Sequence, residues 1–338
     1  MTLFELPISL IALVAAALLS AAIILAIRPL LLRFALARPN ARSSHRAPTP
    51  QGAGIAVIVA ALLAAFAVMI CTGAAELQIP AAVFAATLFI AIVGLADDIN
   101  SIEVLPRLLL QGAAVAAIIF TASDDMRIVP AFPYWIERAV LLLAGLWFVN
   151  LVNFMDGLDW MTVAEIVPVT AALTMLGALG ELPAAATLVA AALCGAMLGF
   201  APFNRPVAKV FLGDVGSLPI GLLLGWCLLQ LAWHQQFAAA LLLPLYYLLD
   251  ATVTLLRRIM RGEPFWAAHR SHFYQRATDN GFTVWRVIGE VFALNIALAA
   301  LAIGSIAAPS VTTKIGLLVI GGIAASAVMV RFSRPRSS

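Results

Sequence analysis

Two aspartates stand side by side in LADDIN (95–100), directly after an uncharged stretch at 80–96 (PAAVFAATLFIAIVGLA). On a helix end, adjacent residues such as Asp97 and Asp98 point about 100° apart. Two carboxylates in one dry site raise each other's pKa unless something offsets their charge. A divalent metal, an arginine, or a proton-accepting role for one acid would do so. A pair that merely ends a helix is the plain alternative, although helix C-termini disfavour acids.

Three further stretches carry similar chemistry. In NFMDGLD (153–159), Asn153 and Asp156 are spaced i, i+3, which on a helix puts an amide and a carboxylate on one face, followed by Gly157 and Asp159. Such a pair can share a sugar or a metal; a helix-ending turn at Gly157 competes with that reading. In FLGDVGS (211–217), Gly213 and Gly216 flank Asp214 and allow backbone to approach a ligand closely. Asp214 and Ser217 offer oxygen to a hard cation. If this stretch is helical, Phe211 shares a face with Asp214, and an aromatic plane lies beside a metal ligand. That suits a nucleobase and its phosphates. In HRSHFYQR (269–276), His269, Arg270, His272 and Arg276 lie among Phe265, Trp266, Phe273 and Tyr274. The cations suit phosphate and the aromatics suit a membrane interface. Surrounding acids and the lack of a nearby cysteine argue against a zinc pair.

The elements that must position these residues are apolar. The chain has 338 residues, 63% hydrophobic and 11% charged, against about 25% charged in soluble domains. Eleven apolar stretches are long enough to cross roughly 30 Å of hydrocarbon: 6–27, 52–72, 80–96, 104–122, 136–152, 162–180, 184–202, 215–233, 237–256, 285–307 and 312–330. The expected fold is all-α, a polytopic transmembrane helical bundle. The alternating short segments of a β-barrel are absent. Cys71, Cys194 and Cys227 are scattered within apolar runs and make neither a metal spacing nor a disulfide framework. The first apolar segment lacks a basic leader and reads as a retained span.

Connections alternate between short segments poor in basic residues and longer basic ones. Placing the basic set inside leaves only Arg127, Arg138 and Lys314 of the 20 Lys and Arg residues outside. The expected orientation is therefore N-terminus out and C-terminus in, which an odd number of spans requires. The acid- and histidine-bearing segments then share the cytoplasmic face. They are the loops 28–51, 97–103, 153–161, 203–214 and 257–284 of a single membrane domain over 1–338. Carboxylates at a bilayer rim are costly and mark function.

Carboxylates for Mg²⁺ or Mn²⁺, several cations, an aromatic platform and a bilayer-level location together suit phosphoryl transfer between a nucleotide-activated donor and a lipid phosphate. A metal and arginines would offset the repulsion of two anions. Neither a phosphate-binding P-loop nor a dinucleotide fingerprint is present. A transporter or lipid flippase is the rival from another class; it should carry ionisable groups near mid-membrane, in broken spans. A metal-dependent lipid-diphosphate hydrolase is the rival among enzymes, and it needs no nucleotide platform.

In order, SSHRAPTPQGAG (43–54), GLADDINSI (94–102), NLVNFMDGLD (150–159), FLGDVGS (211–217) and HRSHFYQR (269–276) resemble the motifs of the polyprenyl-phosphate N-acetylhexosamine-1-phosphate transferases. The resemblance spans roughly 40–280. It implies transfer of a sugar-1-phosphate from a UDP-sugar to undecaprenyl phosphate, with Mg²⁺ and release of UMP, in a bacterial inner membrane. It implies Asp97 as base toward the lipid phosphate, Asp98 beside it in phosphate or metal binding, and Asp214 on Mg²⁺. Phe211 would stack on uracil, Asn153 and Asp156 would contact the nucleotide or support the metal, and His45, His269, Arg270 and His272 would bind substrate. No nucleic acid is implied, and a homodimer is compatible. The sequence departs from the family at Ser271, where a third histidine is usual, at Trp160, where an Asp-Gly-x-Asp-Gly pattern would end in glycine, and at Ala53 within a usual glycine run. HRSHFYQR is closer to the O-antigen branch, which primes with N-acetylglucosamine or a modified relative, than to the branch that transfers phospho-N-acetylmuramoyl-pentapeptide.

Overall fold

A computed structural model describes residues 5–37, 48–264 and 269–335. Among the described residues the regular structure, apart from a two-residue strand pair, is helical, and nine helices are long and apolar enough to cross a membrane. These are α1 (Glu5–Phe34), α2 (Gly54–Thr72), α3 (Ala81–Ile99), α5 (Tyr134–Phe154), α6 (Met161–Ala178), α7 (Ala184–Asn204), α8 (Asp214–Trp233), α12 (Val284–Ile306) and α13 (Val311–Phe332). The expected span at 104–122 is the shorter apolar helix α4 (Val104–Phe120). The expected span at 237–256 is broken into α9 (Phe237–Leu242) and α10 (Leu245–Met260). The break falls at Pro244, which has no N–H for a continuous helix and crowds the preceding turn.

The helices that read as apolar all round, α6, α7 and α8, form the centre. On α7, Gly195 and Gly199 admit α1: a Cβ at these positions would lie 1.9 Å from the Leu13 carbonyl oxygen and 2.2 Å from that of Ala17. Small residues one turn apart let backbones meet where water supplies no driving force between helices. The peripheral α1 and α13 expose Leu10, Ile11, Leu18, Leu25, Val319 and Ile323, as lipid-facing helices do. Helix α10 is inverted: its inward face carries Tyr246, Tyr247, Asp250, Thr254 and Arg258, all buried, while Leu256, Ile259 and Met260 point outward. An aqueous surface helix would show the opposite pattern.

Short elements tie the loops of one end together. Strands β1 (Leu36–Ala37) and β2 (Thr49–Pro50) pair antiparallel, and Gln51 bridges in parallel to Phe211. Helix α11 (Phe273–Asp279) packs against α10, α12 and α13. At the opposite end, Arg127 pairs with Glu137 at 2.8 Å, and the buried Arg138 donates to the carbonyls of Ile119 and Ser123.

Candidate active site

The site is built where α3 ends and α8 begins. Helix α8 starts at Asp214 after Gly213 and has no capping side chain of its own, so its first N–H groups need acceptors from elsewhere. Asp98 supplies them from α3: Oδ1 accepts the Asp214 N–H and Oδ2 the Val215 N–H, each at 3.0 Å. The Gln51 Nε2 group donates to Asp98 Oδ1 at 2.6 Å. A negative charge is stabilising at a helix N-terminus, and here it also fixes three segments to one another. Glycines permit the approach. A Cβ on Gly94 would lie 2.3 Å from the Asp214 carbonyl oxygen, and one on Gly54 would lie 2.3 Å from the Cα of Gly216.

Asp97 faces a different set of partners. Its Oδ2 accepts from Arg107 Nη1 and its Oδ1 from the Ile102 N–H, both at 2.6 Å. Its carboxyl also interacts with that of Asp214. From α5, Asn153 Nδ2 donates to Asp214 Oδ1 at 2.8 Å and to Ser217 Oγ at 2.9 Å. Asp97, Asp98, Asn153 and Asp214 are thus one connected cluster. Sequence reasoning missed Arg107, because basic residues served there as markers of orientation. Its place one turn into the helix after the acid pair was the available signal.

Two expectations about local structure do not hold. Helix α5 stops at Phe154, so Asp156 does not share a helical face with Asn153. It lies in the following turn, where it accepts from the Thr162 hydroxyl. Burial, opposed by that hydroxyl and reinforced by the charges of Asp98 and Asp159, pushes the Asp156 carboxyl up to about 7. The turn closes through Trp160, which takes a left-handed conformation (φ 63°). That is a glycine-like geometry in which the Trp160 N–H reaches Asn204 Oδ1 at 2.8 Å and the indole Nε1 reaches the Ala201 carbonyl at 2.6 Å. Nor is 211–213 helical. Phe211 precedes α8 in extended backbone, its N–H on the Pro50 carbonyl at 2.7 Å, with the ring half-buried. Strand-like pairing, not a helical face, brings Phe211 to the acid cluster.

The histidine segment adjoins the same place. His272 packs on Phe154, with ring centroids 6.4 Å apart, and the Tyr274 hydroxyl donates to the Phe154 carbonyl at 3.0 Å. His269 lies 4.9 Å from His272, centroid to centroid, and its Nδ1 is 2.9 Å from Ser271 Oγ. Arg270 reaches Thr278 Oγ1 at 3.0 Å and Asp279 at 3.3 Å. The guanidinium Nε–H groups of Arg107 and Arg270 are buried with no hydrogen-bond partner among the described residues, which leaves donors for an anion. His45, Phe265 and Trp266 lie outside the described residues.

The donor set is all oxygen around Asp97 and Asp214. Among the described residues, no three His, Cys, Asp or Glu side chains form a ready metal cage. This fits Mg²⁺, which binds through one or two carboxylates and takes its other ligands from water and substrate phosphates. Two neighbouring carboxylates also need a counter-charge beyond the single Arg107 contact.

A multi-span membrane protein with a carboxylate-rich, oxygen-donor site at one end of its bundle is the class that this fold and site define. Residues 80–232, which run from the start of α3 to the end of α8 and include every residue of the acid cluster, match the model of glycosyl transferase family 4. The chain is 29% identical over 304 residues to a decaprenyl-phosphate N-acetylglucosaminephosphotransferase of Mycolicibacterium smegmatis, covering 78% of this chain and 73% of that protein. The Mycobacterium leprae enzyme of the same name is 27% identical, covering 75% and 72%. A phospho-N-acetylmuramoyl-pentapeptide-transferase of Streptococcus gordonii is 28% identical, covering 62% and 68%. The chain is thus similar, over the segment that builds the acid cluster, to glycosyl transferase family 4, and it is a multi-span membrane transferase.

Proposed function

We propose that this protein transfers an N-acetylhexosamine-1-phosphate from a UDP-sugar to undecaprenyl phosphate and releases UMP, as the first step of a lipid-linked surface glycan. The observation that carries the reading is the Asp97–Asp214–Asn153 cluster beside unpartnered guanidinium donors at one end of an apolar bundle. There a soluble diphosphate and a lipid phosphate can meet. The lipid phosphate oxygen attacks the sugar-bearing phosphorus of the donor, the bond to UMP breaks, and UMP leaves. Asp97 accepts the proton of the lipid phosphate when that group arrives protonated, and Arg107 holds the Asp97 carboxylate in place. Arg270 and His269 bind the donor phosphates or sugar, Phe211 stacks on uracil, and Asn153 orients Asp214. Asp214 would hold Mg²⁺, with Asp97 alongside; bound there, the ion offsets the charge of the diphosphate. Asp98, whose oxygens already take three N–H donors, serves by holding Asp214 at the start of α8. Positioning and charge neutralisation supply most of the rate in phosphoryl transfer.

The site faces the cytoplasm in this reading, with the N-terminus out, the C-terminus in and the whole chain forming one domain. The basic residues Arg205, Lys209, Arg257, Arg258, Arg261 and Arg276 belong to segments at the site end, which supports that orientation. The sugar is N-acetylglucosamine or a modified relative, as the histidine segment suggests; transfer of phospho-N-acetylmuramoyl-pentapeptide is the second reading, favoured by the streptococcal relative. Purified protein given undecaprenyl phosphate, Mg²⁺ and a panel of UDP-N-acetylhexosamines, with the muramoyl-pentapeptide donor included, tests both. UMP release that needs lipid and metal supports the reaction, and the donor that works names the sugar. Folded protein that releases no UMP with any of them would overturn it.

A further inference from the structure

Helix α10 sits outside the segments from which the acid cluster is built, yet it carries a carboxylate with no exposure to solvent, Asp250. Five donors converge on it. Oδ1 takes His272 Nδ1 at 3.1 Å, the Phe273 N–H at 3.1 Å and the Thr254 hydroxyl at 3.3 Å. Oδ2 takes the Tyr246 hydroxyl at 3.1 Å and the Tyr274 N–H at 3.2 Å. A buried charge is costly unless it is paired and hydrogen bonded, and Asp250 is satisfied on both oxygens. Because a carboxylate only accepts, His272 Nδ1 must carry a hydrogen. The two histidines are also unequal. His272 is 3% exposed, whereas His269 is partly exposed and packs against it at a tilt.

We infer that Asp250 and His272 form a positioning pair: Asp250 locks the His272 ring through Nδ1, and His272 in turn holds His269 and the backbone of the segment toward the substrate. This deepens the proposed function and rests on it for the role of His269. Substrate contact belongs to His269, the ring with access; Asp250 and His272 act through it.

The first test does not depend on turnover. The chain has 4 histidines, so ¹⁵N-histidine NMR of the detergent-solubilised wild-type protein can resolve His272, assigned by the peak lost in His272→Gln. A hydrogen on Nδ1, in the neutral or the doubly protonated ring, is expected. A bare Nδ1 with the hydrogen on Nε2 would overturn the pair even if the transferase reaction is right. The second test is kinetic. Asp250→Asn and His272→Gln should each lower kcat about 10- to 100-fold, the range found when a histidine loses its orienting partner, and Asp250→Glu should recover part of the loss. The double variant should fall within about 3-fold of the weaker single, as for residues that act as a unit. Losses that multiply, or Asp250→Asn turning over at the wild-type rate, would refute it. Should Asp250→Asn fail to fold, the wild-type spectrum still decides. An inactive wild type with the expected spectrum would put the fault in the proposed reaction, not in the pair.

Discussion

Adding one methyl group at Gly94 should damage catalysis far more than stability. The Cβ of Gly94→Ala would lie 2.3 Å from the Asp214 carbonyl oxygen, 2.5 Å from its carbonyl carbon and 2.7 Å from the Val215 nitrogen. Carbon–oxygen contacts settle near ~3.3 Å, so the start of α8 must retreat from α3 by about 1 Å. That retreat carries the Asp214 carboxylate away from Asp97 and stretches the two N–H bonds to Asp98, now 3.0 Å. A misplacement of about 1 Å costs on the order of 10²-fold in rate. Overpacking costs about 1–3 kcal/mol of stability, a loss the bundle can absorb while remaining folded. UMP release by purified Gly94→Ala, with thermal unfolding in the same detergent, gives both numbers. Gly112→Ala is the control: nothing lies within 4 Å of its Cβ position on α4, and alanine favours a helix by about 1 kcal/mol, so activity should hold. A folded Gly94→Ala enzyme with wild-type kcat would refute the claim that backbone contact between α3 and α8 sets the geometry of the acid cluster.

Asp97→Asn and Asp214→Asn should each nearly abolish UMP release while leaving gel-filtration and unfolding profiles unchanged; near wild-type rates in either would contradict the roles assigned. Asp98→Ala removes a helix cap supplied from another helix, worth about 0.5–2 kcal/mol, so it should lower the unfolding temperature, whereas Asp97→Asn should not. Asp156, raised to about 7 from 3.8, binds more protons folded than unfolded between those values. Its contribution to stability is therefore largest at low pH and is lost as pH rises through about 7. In EDTA, Asp156→Asn should gain stability relative to wild type between pH 5 and pH 8, and a constant difference across that range would show that Asp156 is not the group responsible.

Much of the fold was legible because hydrophobic runs of membrane length have few alternatives. All eleven apolar stretches are helical along most of their length; Pro244 breaks one of them, whereas Pro168 and Pro219 sit inside unbroken helices. The chemistry-bearing residue types were legible too, since Asp beside Gly in an apolar chain has no packing explanation. Their local geometry was not. The i, i+3 spacing of Asn153 and Asp156 suggested a helical face, but α5 ends at Phe154, before Asp156 is reached. Phe211 reaches the site by pairing with the segment around Gln51, a contact between residues far apart in sequence that no local pattern encodes. Asp98 read as a ligand, because nothing in LADDIN shows that the start of α8 would lie against it. Asp250 sits inside PLYYLLDATV, a stretch whose apolar neighbours read as a span and hide its one acid. Only the packed structure shows that the inward face of α10 is the polar one.

The most direct test of the account labels the phosphorus that is said to move. A UDP-N-acetylhexosamine carrying ³²P at its sugar-linked phosphate is incubated with the protein, undecaprenyl phosphate and Mg²⁺, and the lipid and aqueous phases are counted separately. Sugar-1-phosphate transfer predicts label in the lipid phase, equimolar with unlabelled UMP in the water, and neither without the acceptor lipid. Label that stays in the aqueous phase as sugar-1-phosphate or phosphate, released whether or not the lipid is present, would mean hydrolysis instead and would contradict the central claim.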